Sequence, residues 1–276
     1  MDMSTVEAQV VCADPDRFRP GDAWLAGGTV LFSYGSATLT RLLDITGAGW
    51  EPLVFPAGST GLEIAATCTV ADLWRLPDDP RVPRSWAATD LVRRCCDSFV
   101  ASWKIWHTAT VGGNIATALP AGPMTSLTAA LDGVATVLGP GGSIRRQPVL
   151  ELVTGDATTT LAPGELLRKV TIPAEALTYP TAFRRMSLSE RGRSAALVIG
   201  RRTPDGSVAV TITAATRRPV RLLLPPRASA EDVATAVDAT VPPTLWHDDV
   251  HGDPAWRRAL ARHYAAQVHA ELTEAR

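Results

Sequence analysis

The chain has 276 residues, with 27 basic and 28 acidic side chains and a formal net charge of −1. That length suffices for one large domain or two with a substantial core, and the charge balance offers no field for a nucleic acid or an anionic membrane surface. No apolar run reaches the roughly 18 residues of a membrane span, and the N-terminus lacks a basic-then-apolar leader, so a cytoplasmic protein is expected, with no nucleic-acid or membrane partner.

The first informative stretch is WLAGGTVLFSYG, where Leu25 and Ala26 lead through Gly27, Gly28 and Thr29 into a segment with helical potential. Amide groups left unpaired at such a turn favour an anion. PLVFPAG (52–58) and GLEIAATCTV (61–70) read as strands, ADLWRL (71–76) as a short helix, and PDDPRVPRSW (77–86) as a loop. ATDLVRRCCDSFVASWKI (88–105) sets Leu91, Cys95, Phe99 and Trp103 at near four-residue spacing, which predicts one helix with an apolar face. The four cysteines, Cys12, Cys68, Cys95 and Cys96, fit no zinc or iron–sulfur spacing, so buried thiols are expected, and no metal or cluster on this chain.

A second glycine loop follows in IWHTATVGGNIATALPAG (105–122), with Gly112 and Gly113 behind threonines and ahead of Asn114. Glycine inside an element costs about 0.5–1 kcal/mol relative to alanine, so a pair marks a turn or a close backbone approach. Two such loops could clasp the pyrophosphate of a dinucleotide from two sides. Neither is G-x-G-x-x-G after a strand, and neither is a P-loop, so a Rossmann or P-loop fold is not indicated.

Beyond it the sequence predicts a short helix, a strand and a Gly-rich hairpin over 124–149, then the strand LAPGELLRKVTIP ended by Pro173. The remainder changes character, with strands on either side of a turn at Pro204-Asp205-Gly206. A helix opening at Ser229 follows, then a terminal helix with Asp253 as N-cap and Pro254 at N1. His247 and His251 lie in a loop before that helix, and metal binding there is not expected.

Six segments in this order, AGGTVLF, GLEIAATCTVADL, ATVGGNIATALPAG, LAPGELLRKVTIP, AFRRMS and PAWRRALARHY, resemble the FAD-binding medium subunit of the molybdenum hydroxylases. Carbon monoxide dehydrogenase and the equivalent domain of xanthine dehydrogenase represent that family. The resemblance implies an α+β fold: a PCMH-type two-lobed FAD-binding domain over 1–175, then a small C-terminal α/β domain over 176–276, with strands and terminal helices. It implies non-covalent FAD, its pyrophosphate wrapped by the main chain of Ala26, Gly27, Gly28, Thr29 and Val30. The second loop, Ala109, Thr110, Val111, Gly112, Gly113 and Asn114, would meet the flavin side and the phosphates, with Ala116 and Thr117 lining the cofactor. Leu167 would lie against the ring system and Arg184 would reach the flavin. Iron–sulfur clusters and molybdenum would belong to partner chains, an iron–sulfur small subunit and a molybdenum-cofactor large subunit. The chain would pass electrons from the clusters to NAD, a quinone or dioxygen.

The sequence departs from the family pattern at Val30, where an acidic or polar residue is common, and at Pro123, where an aspartate is common. Trp106-His107 stands in place of a basic-polar pair. These departures favour a different reading, a lone FAD-dependent oxidoreductase acting directly on a small molecule, with His107 and Trp106 as its candidate catalytic side chains. A relative that has lost FAD and serves as a scaffold is a third reading.

Overall fold

A parallel sheet opens the chain in the computed structural model, which describes residues 3–56 and 61–274. Strands β1 (Ala8–Val11), β2 (Asp22–Leu25) and β3 (Arg41–Asp44) lie in the order β1-β3-β2. The short helix α1 (Leu31–Tyr34) lies in the connection from β2 to β3. Register sets Asp22 opposite Arg41, whose Nε donates to Asp22 Oδ1 at 2.9 Å. That guanidinium holds the buried Asp22 carboxyl below the usual carboxylate range.

The second lobe is built around an antiparallel sheet. Its elements in chain order are β4 (Leu53–Val54), β5 (Gly61–Ala65), α2 (Val70–Trp74), α3 (Thr89–Asp97), α4 (Trp103–Trp106), α5 (Val111–Thr117) and α6 (Pro123–Ala130). Then come β6 (Val134–Gly139), β7 (Ser143–Pro148), α7 (Val149–Leu152), the hairpin β8 (Val153–Gly155) and β9 (Thr158–Thr159), β10 (Leu166–Pro173) and α8 (Ala174–Thr178). The five-stranded sheet runs β4-β5-β10-β6-β7, and its inner face shares a core with α2, α3, α5 and α6.

Three expectations need correction here. The strand read over 61–70 ends at Ala65, because Thr69 turns the chain into α2 by accepting from the Asp72 amide at 3.0 Å. The strand read over 52–58 is confined to Leu53 and Val54, and positions 57 and 58 lie outside the described residues. The single helix read over 88–105 is two helices. Ser98 bonds back to the Arg94 carbonyl at the end of α3, and Ser102 caps the Ile105 amide at the start of α4. Short hydroxyl side chains that compete for backbone groups won over apolar spacing.

The chain ends in a four-stranded antiparallel sheet, β11 (Thr181–Ser187), β12 (Ser194–Arg202), β13 (Val208–Thr213) and β14 (Val220–Leu224), followed by α9 (Ala230–Thr240) and α10 (Pro254–Glu274). Asp253 receives the amides of Ala255 and Trp256 at 2.9 and 3.0 Å, so it starts α10 as its sequence position implied. Both faces of this sheet are covered. Ala196 and Val198 of β12 pack toward α9 and α10, while Leu197 and Ile199 enter the core of the preceding lobe. Strand alternation therefore decides which β11 and β12 side chains look toward which layer.

A partly buried ionic staple joins the two layers. Arg201 and Arg221 both bond the carboxylate of Asp132, just past α6, and they also donate to the carbonyls of Ala130 and Ala129. Arg201 is 4% exposed, so removing its counter-charge strands a cation in the interior. We expect Asp132→Ala, which removes a carboxylate that is 38% exposed, to cost about 1–3 kcal/mol in urea unfolding. Arg258→Ala, which breaks a largely exposed pair with Asp238, should cost far less. Equal losses would show that the staple carries no special share.

Candidate functional site

The glycine stretches meet at one cleft, of about 340 Å3. Ala26, Gly27, Gly28, Thr29 and Val30 form one wall, and Ala109, Thr110, Gly113, Asn114, Ala116 and Thr117 form the other. Their approach is backbone to backbone. A Cβ on Gly27 would lie 1.8 Å from the Thr108 carbonyl oxygen, so no other residue fits there without moving a chain. Gly28 adopts φ +65°, the left-handed region that side chains disfavour.

The first loop leaves its donors free. Among the described residues, the amides of Ala26 through Leu31 donate to no acceptor, whereas the next amide, Phe32, closes onto the Gly28 carbonyl at 2.8 Å. Polar backbone groups at a half-buried cleft need water or a ligand, and consecutive converging N–H groups suit an oxyanion.

The second segment behaves differently. Rather than a loop, Gly112 and Gly113 occupy the first turn of α5, capped by Thr110, whose hydroxyl accepts from the Gly113 amide at 3.0 Å. The amides of Val111 and Gly112 donate to the carbonyls of Cys68 and Ala66 at 2.8 and 2.9 Å. Its first-turn amides are thus spoken for. A Cβ on Gly112 would meet Ala66 at 2.4 Å, so this glycine serves chain packing. Only Gly113 of the pair faces the cleft, where an added Cβ would meet nothing nearer than the Thr110 hydroxyl at 3.0 Å.

What this wall offers instead is a side chain. Asn114 Oδ1 accepts from the Met124 amide at 3.0 Å, which fixes the carboxamide and leaves Nδ2 with no acceptor among the described residues. Pro123, at the position where the family commonly carries aspartate, is buried in the first turn of α6 and does not line the cleft.

Six expected site residues lie away from the cleft. Val111 is buried beneath α5, and Gly112 faces the β5–α2 turn. Leu167 is 3% exposed in the core under β10, where a side chain opposite Val137 is enclosed on all sides. Arg184 stands opposite Val198, on the α10 side of the sheet, where it bonds Gln267 at 2.8 Å and Glu271 at 2.7 Å. The neighbouring Arg185, opposite Leu197, looks the other way, so the basic residue turned toward the lobe that carries the cleft is displaced by one position. Arg185 lines a second cavity, of about 440 Å3, together with Phe99, Trp106 and Arg191. Phe99 lines both the cleft and this cavity. His107 is exposed, its ring 4.9 Å edge-on from that of Trp103, and it lines neither space. Trp106 is 9% exposed and donates its Nε1 to the Phe99 carbonyl at 3.2 Å.

Cleft residues that sequence reasoning missed are Trp24, Leu25, Leu31, Phe99 and Leu119. Trp24 and Leu31 flank the first glycine loop and could have been read from adjacency. Phe99 could not, because its spacing assigned it to a helix that the chain does not form. His247 lies 3.2 Å from Asp249, which also holds the buried Arg257.

The sequence from residue 19 to 175 matches the family model for the FAD binding domain in molybdopterin dehydrogenase. No curated protein matches the sequence. Among solved structures, a chain of quinoline 2-oxidoreductase from Pseudomonas putida 86 superposes with a TM-score of 0.79 at 19% identity, covering 99% of each chain. A chain of carbon monoxide dehydrogenase from Hydrogenophaga pseudoflava gives 0.78 at 20% identity, covering 97% of each. A chain of the enzyme from Oligotropha carboxidovorans also gives 0.78 at 20%, covering 99% of each. At this identity the superpositions establish a common fold.

Gly27 and Gly113 separate packing from access. We expect Gly27→Ala to destabilise the protein by about 3 kcal/mol in urea, as forced overpacking does. Gly113→Ala should change stability by less than about 1 kcal/mol, since helix propensity favours alanine. Equal destabilisation would overturn the distinction.

Proposed function

The chain belongs to the family of the FAD binding domain in molybdopterin dehydrogenase, and on that premise we propose that it is an electron-transfer flavoprotein, a subunit of a molybdenum hydroxylase-like complex. The observation that carries this reading is the run of unpaired amides from Ala26 to Leu31 along the cleft. A diphosphate needs donors without the cost of burying a lysine, and free main-chain N–H groups supply them. The residues therefore fit the cofactor: the first loop would hold the diphosphate, and Asn114 Nδ2 would donate to its polar chain. Gly113, bare of a side chain, keeps the facing wall open. Bound there, FAD would supply a two-electron store that can be filled and emptied one electron at a time.

The chain's own work is binding, orientation and exclusion of water. Trp24 and Leu25 enclose the first-loop side, while Leu119 and Phe99 bound the far side. No helix among the described residues is long and apolar enough to cross a membrane. The proposed partners are an iron–sulfur chain and a molybdenum chain, since the solved relatives are carbon monoxide dehydrogenase and quinoline oxidoreductase. The proposed compartment is the cytoplasm. A second reading, a lone oxidoreductase acting on a small molecule, draws support from the cavity that Phe99 shares with the cleft.

The purified or reconstituted protein is expected to show a flavin absorbance spectrum, with FAD released by acid precipitation. Gly113→Val should weaken FAD at least about tenfold, or ~1.4 kcal/mol, because a branched side chain would enter the cleft. Gly206→Ala, at φ +83° in the β12–β13 turn, should lose stability but keep FAD. A protein that takes up no FAD would overturn both redox readings. Between them, the subunit reading expects electron transfer from reduced flavin to an artificial acceptor, little turnover of organic substrates alone, and co-purification with iron–sulfur and molybdenum chains.

A further inference from the structure

We propose that the seam between α6 and the C-terminal sheet binds one small monovalent anion of halide size, held by the Nε–H of Arg221 and the hydroxyl of Thr211. Neither residue lines the cleft or the cavity that Phe99 shares with it, so cofactor-free protein suffices to test the site. The first observation is a pair of missing bonds. Among the described residues, three buried side-chain atoms have no hydrogen-bond partner: the hydroxyls of Thr125 and Thr211, and Nε of Arg221. Thr125 stands apart, in the first turn of α6. The other two are cross-strand partners. Register sets Thr211 of β13 opposite Arg221 of β14, which puts both side chains on one face with roughly 4.5–5.5 Å between their Cβ atoms. That face is turned toward α6, because Arg221 bonds the Ala129 carbonyl there. Thr211 is 1% exposed, and neither unpartnered atom is open to solvent. Two neighbouring donors that bond neither each other nor the protein call for a single occupant that accepts from both.

The surrounding charges set the sign of that occupant. Arg201 and Arg221 share one carboxylate, each through a different oxygen of Asp132. Burial lowers the pKa of Arg201 in spite of Asp132, and the charge of Arg221 lowers it further. Glu175 also acts on Arg201, but it is exposed and therefore largely screened. Two cations thus stand against one carboxylate at the seam, and an anion offsets the excess where a water molecule does not. The donors narrow the class. Nη1 of Arg221 is spent on Asp132 and Nη2 on the Ala129 carbonyl, so no pair of parallel N–H groups remains for a carboxylate or a phosphate. One N–H and one rotatable hydroxyl, from two side chains, suit a spherical ion. Enclosure beneath the strand favours a monatomic ion over an organic acid. An ion seated here adds a further member to the Asp132 staple, and the hold of the C-terminal sheet on α6 becomes anion-dependent.

The test is thermal melting of the full-length protein as sodium chloride replaces sodium methanesulfonate, an anion too large for the site, at constant ionic strength. We expect the wild-type melting temperature to rise by roughly 2–4 °C, saturating with chloride concentration as binding to one site does. Thr211→Val swaps the hydroxyl for a methyl group of similar volume and removes an unpartnered polar atom. In methanesulfonate it should therefore melt no lower than wild type, and in chloride it should lose most of the rise. Arg221→Lys, which keeps the charge but removes the Nε–H, should lose the rise as well, and it decides the matter if Thr211→Val does not fold. Equal melting of wild type in the two salts would overturn the proposal, since a water molecule would then fill the gap. A chloride rise that persists in Thr211→Val would overturn it too, as an effect of salt on the whole surface.

Discussion

One steric contact governs the site: the Gly27 backbone lies against the Thr108 carbonyl, closer than any side chain allows. It brings a turn from the parallel sheet onto the segment that enters α5, and the cleft is the space left beside that crossing. The second segment is itself held rigidly, because Val70, Val111 and Gly112 exchange main-chain bonds across the β5–α2 turn and residues 109–112. Its amides are consumed in that lacing. The first loop, held by one close contact and its strand, is left with amides that point at nothing. An asymmetric cleft results, with one wall of donors and one wall of packing. A symmetrical clasp by two glycine loops is therefore not what the chain builds.

The C-terminal sheet completes the arrangement from the other side. Its two faces are both buried, and the Asp132 staple to Arg201 and Arg221 fixes it against α6. Burial on both faces gives the strand register unusual consequence. Moving one position along β11 exchanges Arg184, paired with Glu271 of α10, for Arg185, which faces the lobe carrying the cleft. The difference between a surface ion pair and a cation without counter-charge beside a cavity is a single step in a two-residue period.

Glycine has three separate meanings here. Gly27 and Gly112 permit contact between parts of the chain itself, Gly28 permits a left-handed turn, and Gly113 leaves the cleft open. All four look alike in the sequence, where each is half of a Gly-Gly pair. Trp106 shows the same limit from another direction. As a residue beside the second loop it reads as a neighbour of the cleft, yet the break after α3 turns it into the second cavity.

The sequence by itself determined the elements whose signals are local. Asp253 before Pro254 starts α10, Ser229 ahead of acidic residues starts α9, Pro204-Asp205-Gly206 turns β12 into β13, and the order of six segments carries the family and its α+β fold. These depend on propensity, capping and turn chemistry, which act over a few residues. Tertiary structure decided the rest: the break at Ser98, the burial of Leu167, the turning of Arg184 away from the cleft, and the arrival of Phe99 between two spaces. Each of those depends on a partner distant in sequence, such as Val137 for Leu167 or Glu271 for Arg184. Spacing along a chain states which side chains share a face, but only packing states what that face meets.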